Sequence, residues 1–236
     1  HGGGGNYSDW NSVQFEMKTQ INILSKNPMI MPVSVSAGNS QVYLNIFKYD
    51  KCSGAFGIDW GDGVYEEESS TNWSGGTKSH TYPSSGGNYN IKVYAMPGTL
   101  SRCSPSTRSY SEFKIKGVSS WVDLELSSLY AQFRGGDVEN MVIPTSIPGS
   151  VRSLASCFKD VVYPSGTYPW NYTTTSNYRV FDAISSWNVS NILDMGWMFY
   201  GNDYFNSNLN NWNVSNCTDF ALMFEGCEVY NLSLIH

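Results

Sequence analysis

The sequence predicts a mainly β protein, a β-sandwich followed by a short solenoid of repeats. Three observations carry this expectation. Short runs of alternating apolar and polar residues, separated by Gly, Asn, Asp and Ser clusters, fill the first half. The second half resembles itself at a step of 25 residues. Charged residues make up only 14% and aromatics 15%, the profile of an extracellular β protein. Residues 1–15, with the run Gly2 to Gly5, read as a flexible N-terminal segment, 16–116 as the sandwich and 117–236 as the repeats.

In the first unit the runs 41–47, 55–60, 89–95 and 111–116 read as strands. Tyr89, Ile91, Val93 and Ala95 fall on one face of theirs and Asn90, Lys92 and Tyr94 on the other, which makes it half-buried. Ile58-Asp59-Trp60-Gly61-Asp62-Gly63 ends a strand in an Asp-Gly turn. His80-Thr81-Tyr82 and then Gly87-Asn88-Tyr89-Asn90-Ile91-Lys92-Val93 follow in order. These residues resemble the polycystic-kidney-disease (PKD) domain, with its W-G-D-G turn, later H-x-Y and G-x-Y-x-(V/I)-x-V strand. The resemblance covers roughly 18–116, apart from 66–78, which reads as an irregular insertion. It implies a β-sandwich and a structural role for His80 near the turn.

Asp59 and Asp62 are weak calcium candidates, since they supply hard oxygen ligands without the ligand ladder of an EF-hand; as turn residues they instead bond their own backbone. Apart from calcium no cofactor is expected. The five cysteines, Cys52, Cys103, Cys157, Cys217 and Cys227, lack the spacing of a zinc site. Cys52 and Cys103 are candidates for a disulfide within the first unit, and the odd count leaves at least one thiol unpaired or intermolecular.

In the second unit Trp187-Asn188-Val189-Ser190-Asn191 recurs as Trp212-Asn213-Val214-Ser215-Asn216. Each tryptophan precedes a Met-Phe pair, ending at Phe199 and Phe224, and Leu209 and Leu234 close the pattern. The frame extends back through Phe133 and Phe158, with an insertion near 163–178 rich in Tyr, Pro and Thr. A unit this short cannot bury its own apolar face, so like positions stack on like: Phe199 over Phe224 and Trp187 over Trp212. The Met195-to-Phe199 step suits one helical turn, and Trp-Asn-Val a short strand or corner. Trp187 to Leu209 and Trp212 to Phe224 resemble the BspA-like leucine-rich repeat, or mycoplasma lipoprotein repeat, family. The resemblance implies a leucine-rich-repeat-type solenoid, surface display and adhesion, with no reaction. The first two repeats depart from the pattern: Ser146 replaces the tryptophan, and Pro144 and Pro148 intrude.

A formal net charge of -6 without Lys/Arg clusters sets nucleic acid aside. No apolar run is long enough to span a bilayer as a helix, so direct membrane insertion is not expected. His80 is the single internal histidine and no G-x-S-x-G elbow occurs, so no enzyme is expected. The leading expectation is a non-catalytic extracellular, cell-surface or virion-surface protein mediating adhesion or binding of protein or glycan. Tyr168, Trp170 and Tyr172 in the insertion are its candidate ligand anchors. The alternative is a structural subunit of a surface layer, filament or virion that contacts other copies through its solenoid end. Among seven Asn-x-Ser/Thr triplets, Asn72, Asn171, Asn188 and Asn213 are candidate glycosylation sites.

Overall fold

The computed structural model describes residues 28–38, 41–49, 54–69, 72–96, 98–105, 114–121, 124–136, 141–161, 178–203, 205–228 and 230. Among the described residues the molecule is mainly β, with two antiparallel sheets and one 3-10 helix, Tyr178–Ser186. The strands in chain order are β1 Met29–Val35, β2 Gln41–Lys48, β3 Phe56–Asp59, β4 Tyr65–Glu68, β5 Gly75–Thr81, β6 Gly87–Ala95 and β7 Leu100–Pro105. One sheet has the order β1-β6-β3-β4 and the other β5-β2-β7.

Alternation decides which face is buried. Val42, Leu44 and Ile46 of β2 point inward, as do Met29, Met31, Val33 and Val35 of β1. Ile91, Val93 and Ala95 of β6 join them, and the buried faces of both sheets belong to one core. Tyr94, on the opposite face of β6, is buried as well.

The stretch 66–78, read from sequence as an irregular insertion, contains most of β4 and the first part of β5. These are edge strands with partly exposed Glu and Lys side chains, so they lack the apolar alternation that marks a strand in sequence. β1 carries Pro32 at its centre. That missing N–H falls on the side facing 114–120, where only Ile30 and Ser34 donate, to the Ser120 and Lys114 carbonyls. Of the run 111–116, the described part forms an isolated bridge, Ile115 opposite Val33, and no strand.

The two units are joined by hydrogen bonds on both sheets. Residues 114–120 run along β1 and are themselves bridged to Val142, whose carbonyl accepts from Val118 at 2.9 Å and whose N–H donates to Lys116 at 2.7 Å. On the other sheet, Ser127 and Ser128 donate to the Ser101 carbonyl of β7, and the Tyr49 hydroxyl donates to the Glu125 carbonyl.

The repeats stack. Parallel bridges run from Ser128 to Ser153 to Asp194 to Asp219. The rings of Phe133, Phe158, Phe199 and Phe224 form a column with successive centroids 4.9, 5.6 and 5.6 Å apart and planes within 11° of parallel. The longer gap before Phe199 leaves the column intact, and Phe181 of the 3-10 helix packs edge-on against Phe158. Trp187 packs against Phe158 and Trp212 against Phe199.

The segment before each phenylalanine is not the helical turn its spacing suggests. Ala131, Ser156, Trp197 and Leu222, each two residues before the ring, have φ between 54° and 60°. Helical φ is negative throughout, so a left-handed residue here breaks the helix and turns alternate N–H groups out toward the next repeat.

One core position violates the pattern. Cys157, Met198 and Met223 precede their phenylalanines and are buried, but Gln132 holds that place in the first repeat. Gln132 is 1% exposed, and neither its amide oxygen nor its amide nitrogen has a hydrogen-bond partner. A buried unpaired amide costs about 1–3 kcal/mol, and methionine has similar length without the polar atoms. Gln132→Met is therefore expected to stabilise the chain by about 1–2 kcal/mol, read as a higher urea midpoint. An unchanged or lower midpoint would show that the amide is satisfied in solution.

Candidate functional site

The turn residues of the first unit converge on one cluster. The Trp60 N–H donates to the Val64 carbonyl, closing the hairpin between β3 and β4. Asp59 Oδ1 accepts from the Gly61 N–H at 2.8 Å and Asp62 Oδ1 from the Val64 N–H at 3.2 Å. Asp62 Oδ2 lies 2.8 Å from His80 Nε2, and the His80 ring stacks on Trp60 at 5.0 Å. The Tyr82 hydroxyl donates to the Trp60 carbonyl at 2.8 Å, and Trp60 Nε1 donates to Glu66. Burial first, and then Asp62, pushes the Tyr82 hydroxyl well above its ordinary range.

This arrangement ties the turn to β5 and to Tyr82. His80 Nε2 is held by Asp62, and the ring packs against Trp60 and Tyr82. Asp59 Oδ2 also lies 3.6 Å from Lys92 Nζ. Among the described residues no group of three His, Cys, Asp or Glu side chains is arranged to hold a metal ion. Glu66, which the sequence reading placed in the insertion, is the partner that fixes the indole.

Tyr168, Trp170, Tyr172 and Asn171 lie outside the described residues, as does Cys52. Cys103 is a fully buried free thiol on β7, and burial pushes it up to about 12. Burial raises the Cys157 thiol further still, and raises Cys227 to about 11. Only the thiolate attacks an alkylating reagent, so a raised thiol with no access is inert. Native protein at pH 8 is expected to leave Cys103 and Cys157 unlabelled by iodoacetamide over an hour, with labelling after denaturation without reductant. A Cys103 that stays blocked after such denaturation would instead reveal a disulfide. Asn72, Asn188 and Asn213 are exposed; the latter two accept the N–H of Ser190 and Ser215 in Asx turns.

Several of the exposed large apolar side chains lie on the repeat stack. Leu193, Trp197, Val214, Phe220 and Leu222 are exposed apolar side chains on its last two repeats. Trp197 and Tyr200 lie 4.7 Å apart with the Lys159 ammonium over both rings, at 3.9 and 4.1 Å. Asp160 pairs with Arg134 on the same side.

A second feature is the backbone. Leu129, Ala131, Phe133 and Gly135 donate their N–H groups to the carbonyls of Ser153, Ala155, Cys157 and Lys159 in the next repeat. Leu154, Ser156, Phe158 and Asp160 do the same toward Asp194, Gly196, Met198 and Tyr200. Met195, Trp197, Phe199 and Gly201 repeat the pattern toward Asp219, Ala221, Met223 and Glu225. In the last described repeat the corresponding donors are Phe220, Leu222, Phe224 and Gly226, and among the described residues none of these N–H groups meets an acceptor. No sequence pattern announces this edge, because it follows from the direction of the backbone.

A family model described as Mycoplasma protein of unknown function, DUF285, matches residues 171–236. The span contains the Trp187 and Trp212 repeats and is consistent with their resemblance to mycoplasma-type repeats. No curated protein and no solved structure matches the chain. Among the described residues no helix is long and apolar enough to cross a membrane.

Proposed function

We propose that this chain is a non-catalytic protein of an extracellular, cell or virion surface that binds protein or glycan ligands. In this reading a PKD-like sandwich carries a short solenoid of the leucine-rich-repeat type. The observation that carries it is the repeat stack, whose inner face is an aromatic core while Leu193 and Trp197 on its outer face keep apolar surface in solvent. The family match over 171–236 supports the repeat assignment. Two antiparallel sheets on one core, with His80 seated on the Trp60 turn, support the PKD-like reading. The non-catalytic reading has its support in His80, the one internal histidine, which is bonded to Asp62 and packed against Trp60.

Surface location is tested on intact source cells or particles with an impermeant biotinylation reagent. The reading expects lysines of the chain, such as the partly exposed Lys92, to be labelled before lysis. Labelling that appears only after lysis overturns it. Assembly through the repeat end, the alternative role, has weaker support. Two copies meeting by a twofold axis at this edge would set donors against donors.

A further inference from the structure

Two cations of the chain are held by rings and not by acids. Lys78, Lys92 and Arg134 lie 3.2 to 3.6 Å from a carboxylate oxygen. The Arg102 guanidinium instead lies 4.0 Å from the Phe47 ring and 5.2 Å from that of Tyr130, and the Lys159 ammonium lies over Trp197 and Tyr200. Among the described residues neither of these two side chains meets a carboxylate. Arg102 Nε is buried without a hydrogen-bond partner, and burial pulls the guanidinium below its ordinary pKa, as befits a cation with no counter-charge. The rings fix both cations in place, so each is a pre-oriented set of donors that an anion can use at little ordering cost.

Both lie along one strip. Tyr130, Lys159 and Trp197 take outward positions of the left-handed turn on three successive rungs, which the backbone bonds set about 4.8 Å apart. The rung of Trp197 is bonded on both sides, by Phe158 to the Met198 carbonyl and by Trp197 to the Ala221 carbonyl, so the strip belongs to the interior of the stack. Its alternate N–H groups are spent on the next rung, which leaves an added peptide strand no donors to pair with. Side chains alone do the recognising. We propose that the strip binds a glycan whose sugars carry ionised carboxylates, laid along the stack with its acid groups on Arg102 and Lys159 and the C–H faces of its sugars against Tyr130 and Trp197. The planar Arg102 fork matches a carboxylate, and aromatic rings suit the apolar faces of sugars. A formal net charge of -6 repels a densely charged polyanion such as nucleic acid, whereas two ring-held cations suffice for a sparsely charged one. This names the ligand class of the proposed surface-binding protein and rests on that reading for its setting, while the contacts rest on the strip alone.

The test titrates the whole chain with a hyaluronan hexasaccharide and with hexagalacturonate, followed by calorimetry. Saturable binding of at least one is expected at low salt, weakening as salt rises. The methyl esters of the same oligosaccharides keep the rings and lose the charge, and are expected to bind about tenfold more weakly or worse. Lys159→Gln, Arg102→Gln and Trp197→Ala each weaken binding about tenfold. Lys92→Gln removes a cation from the sandwich instead and leaves binding within about twofold. Near-ultraviolet circular dichroism confirms which variants remain folded. Absence of saturable binding by both acids, equal binding of the esters, a folded Lys159→Gln that binds like the parent, or tighter binding of poly-glutamate or oligothymidylate overturns the proposal. Glycan binding by a chain that is not found at a surface would leave the strip standing and remove its setting.

Discussion

Phe199→Ala is expected to lower stability by about 3–5 kcal/mol, because it opens a cavity in the middle of the aromatic column. The ring is 0% exposed and lies 5.6 Å from Phe158, 5.6 Å from Phe224 and 3.9 Å from Phe205. Removing it deletes contacts on two neighbouring repeats at once. The backbone bond from Phe199 to the Met223 carbonyl survives in the alanine variant, so the loss reports the ring alone. Phe220→Ala, on an exposed ring at the open edge, is expected to cost less than about 1 kcal/mol. Urea unfolding of the two variants measures the contrast. Equal losses would mean that the column is not the core of the stack.

Gly117→Ala is expected to cost about 3 kcal/mol or more and to weaken the coupling between the two units. Gly117 has φ 122°, and a Cβ there would sit 2.2 Å from the Val142 carbonyl oxygen and 3.1 Å from the Val142 nitrogen. The nearest atoms are backbone, so nothing flexible can give way. Relief requires separating 117 from 142, which sacrifices the Val118-to-Val142 and Val142-to-Lys116 bonds that splice the units. Calorimetry should then show one thermal transition in the parent and two in the variant. Gly63→Ala is the control for the backbone conformation: φ is 96° and no atom lies within 4 Å of the added Cβ, so only the strain of about 1–3 kcal/mol remains. If Gly117→Ala loses no more than Gly63→Ala, the splice yields without cost and the units are not mechanically coupled.

The Gln132 position shows how a local pattern and a packed environment can disagree. Its three counterparts are sulfur-containing core residues, and the sequence frame places it among them. The frame does not say that both amide atoms end without partners, since that depends on what the first repeat meets at its junction with β7.

The sequence by itself determined the β character, the positions of β2, β3 and β6, and the phase of the repeats on Phe133, Phe158, Phe199 and Phe224. Each of these is written in residue spacing: alternation for strands, a fixed step for stacked units. The Trp60 turn and its His80 and Tyr82 partners were legible as a motif, although their mutual contacts were not. Only the tertiary structure decided that parts of 66–78 form edge strands, since Glu66 to Glu68 and Lys78 are charged and leave no apolar alternation to read. It alone decided that the residues before each phenylalanine turn left-handed, because a Met195-to-Phe199 step is equally compatible with a helix. The reason is common to both cases: these backbones are held by hydrogen bonds to residues far along the chain, as Phe158 is by Met198. Such bonds favour no particular side chain, so they leave no mark in the sequence.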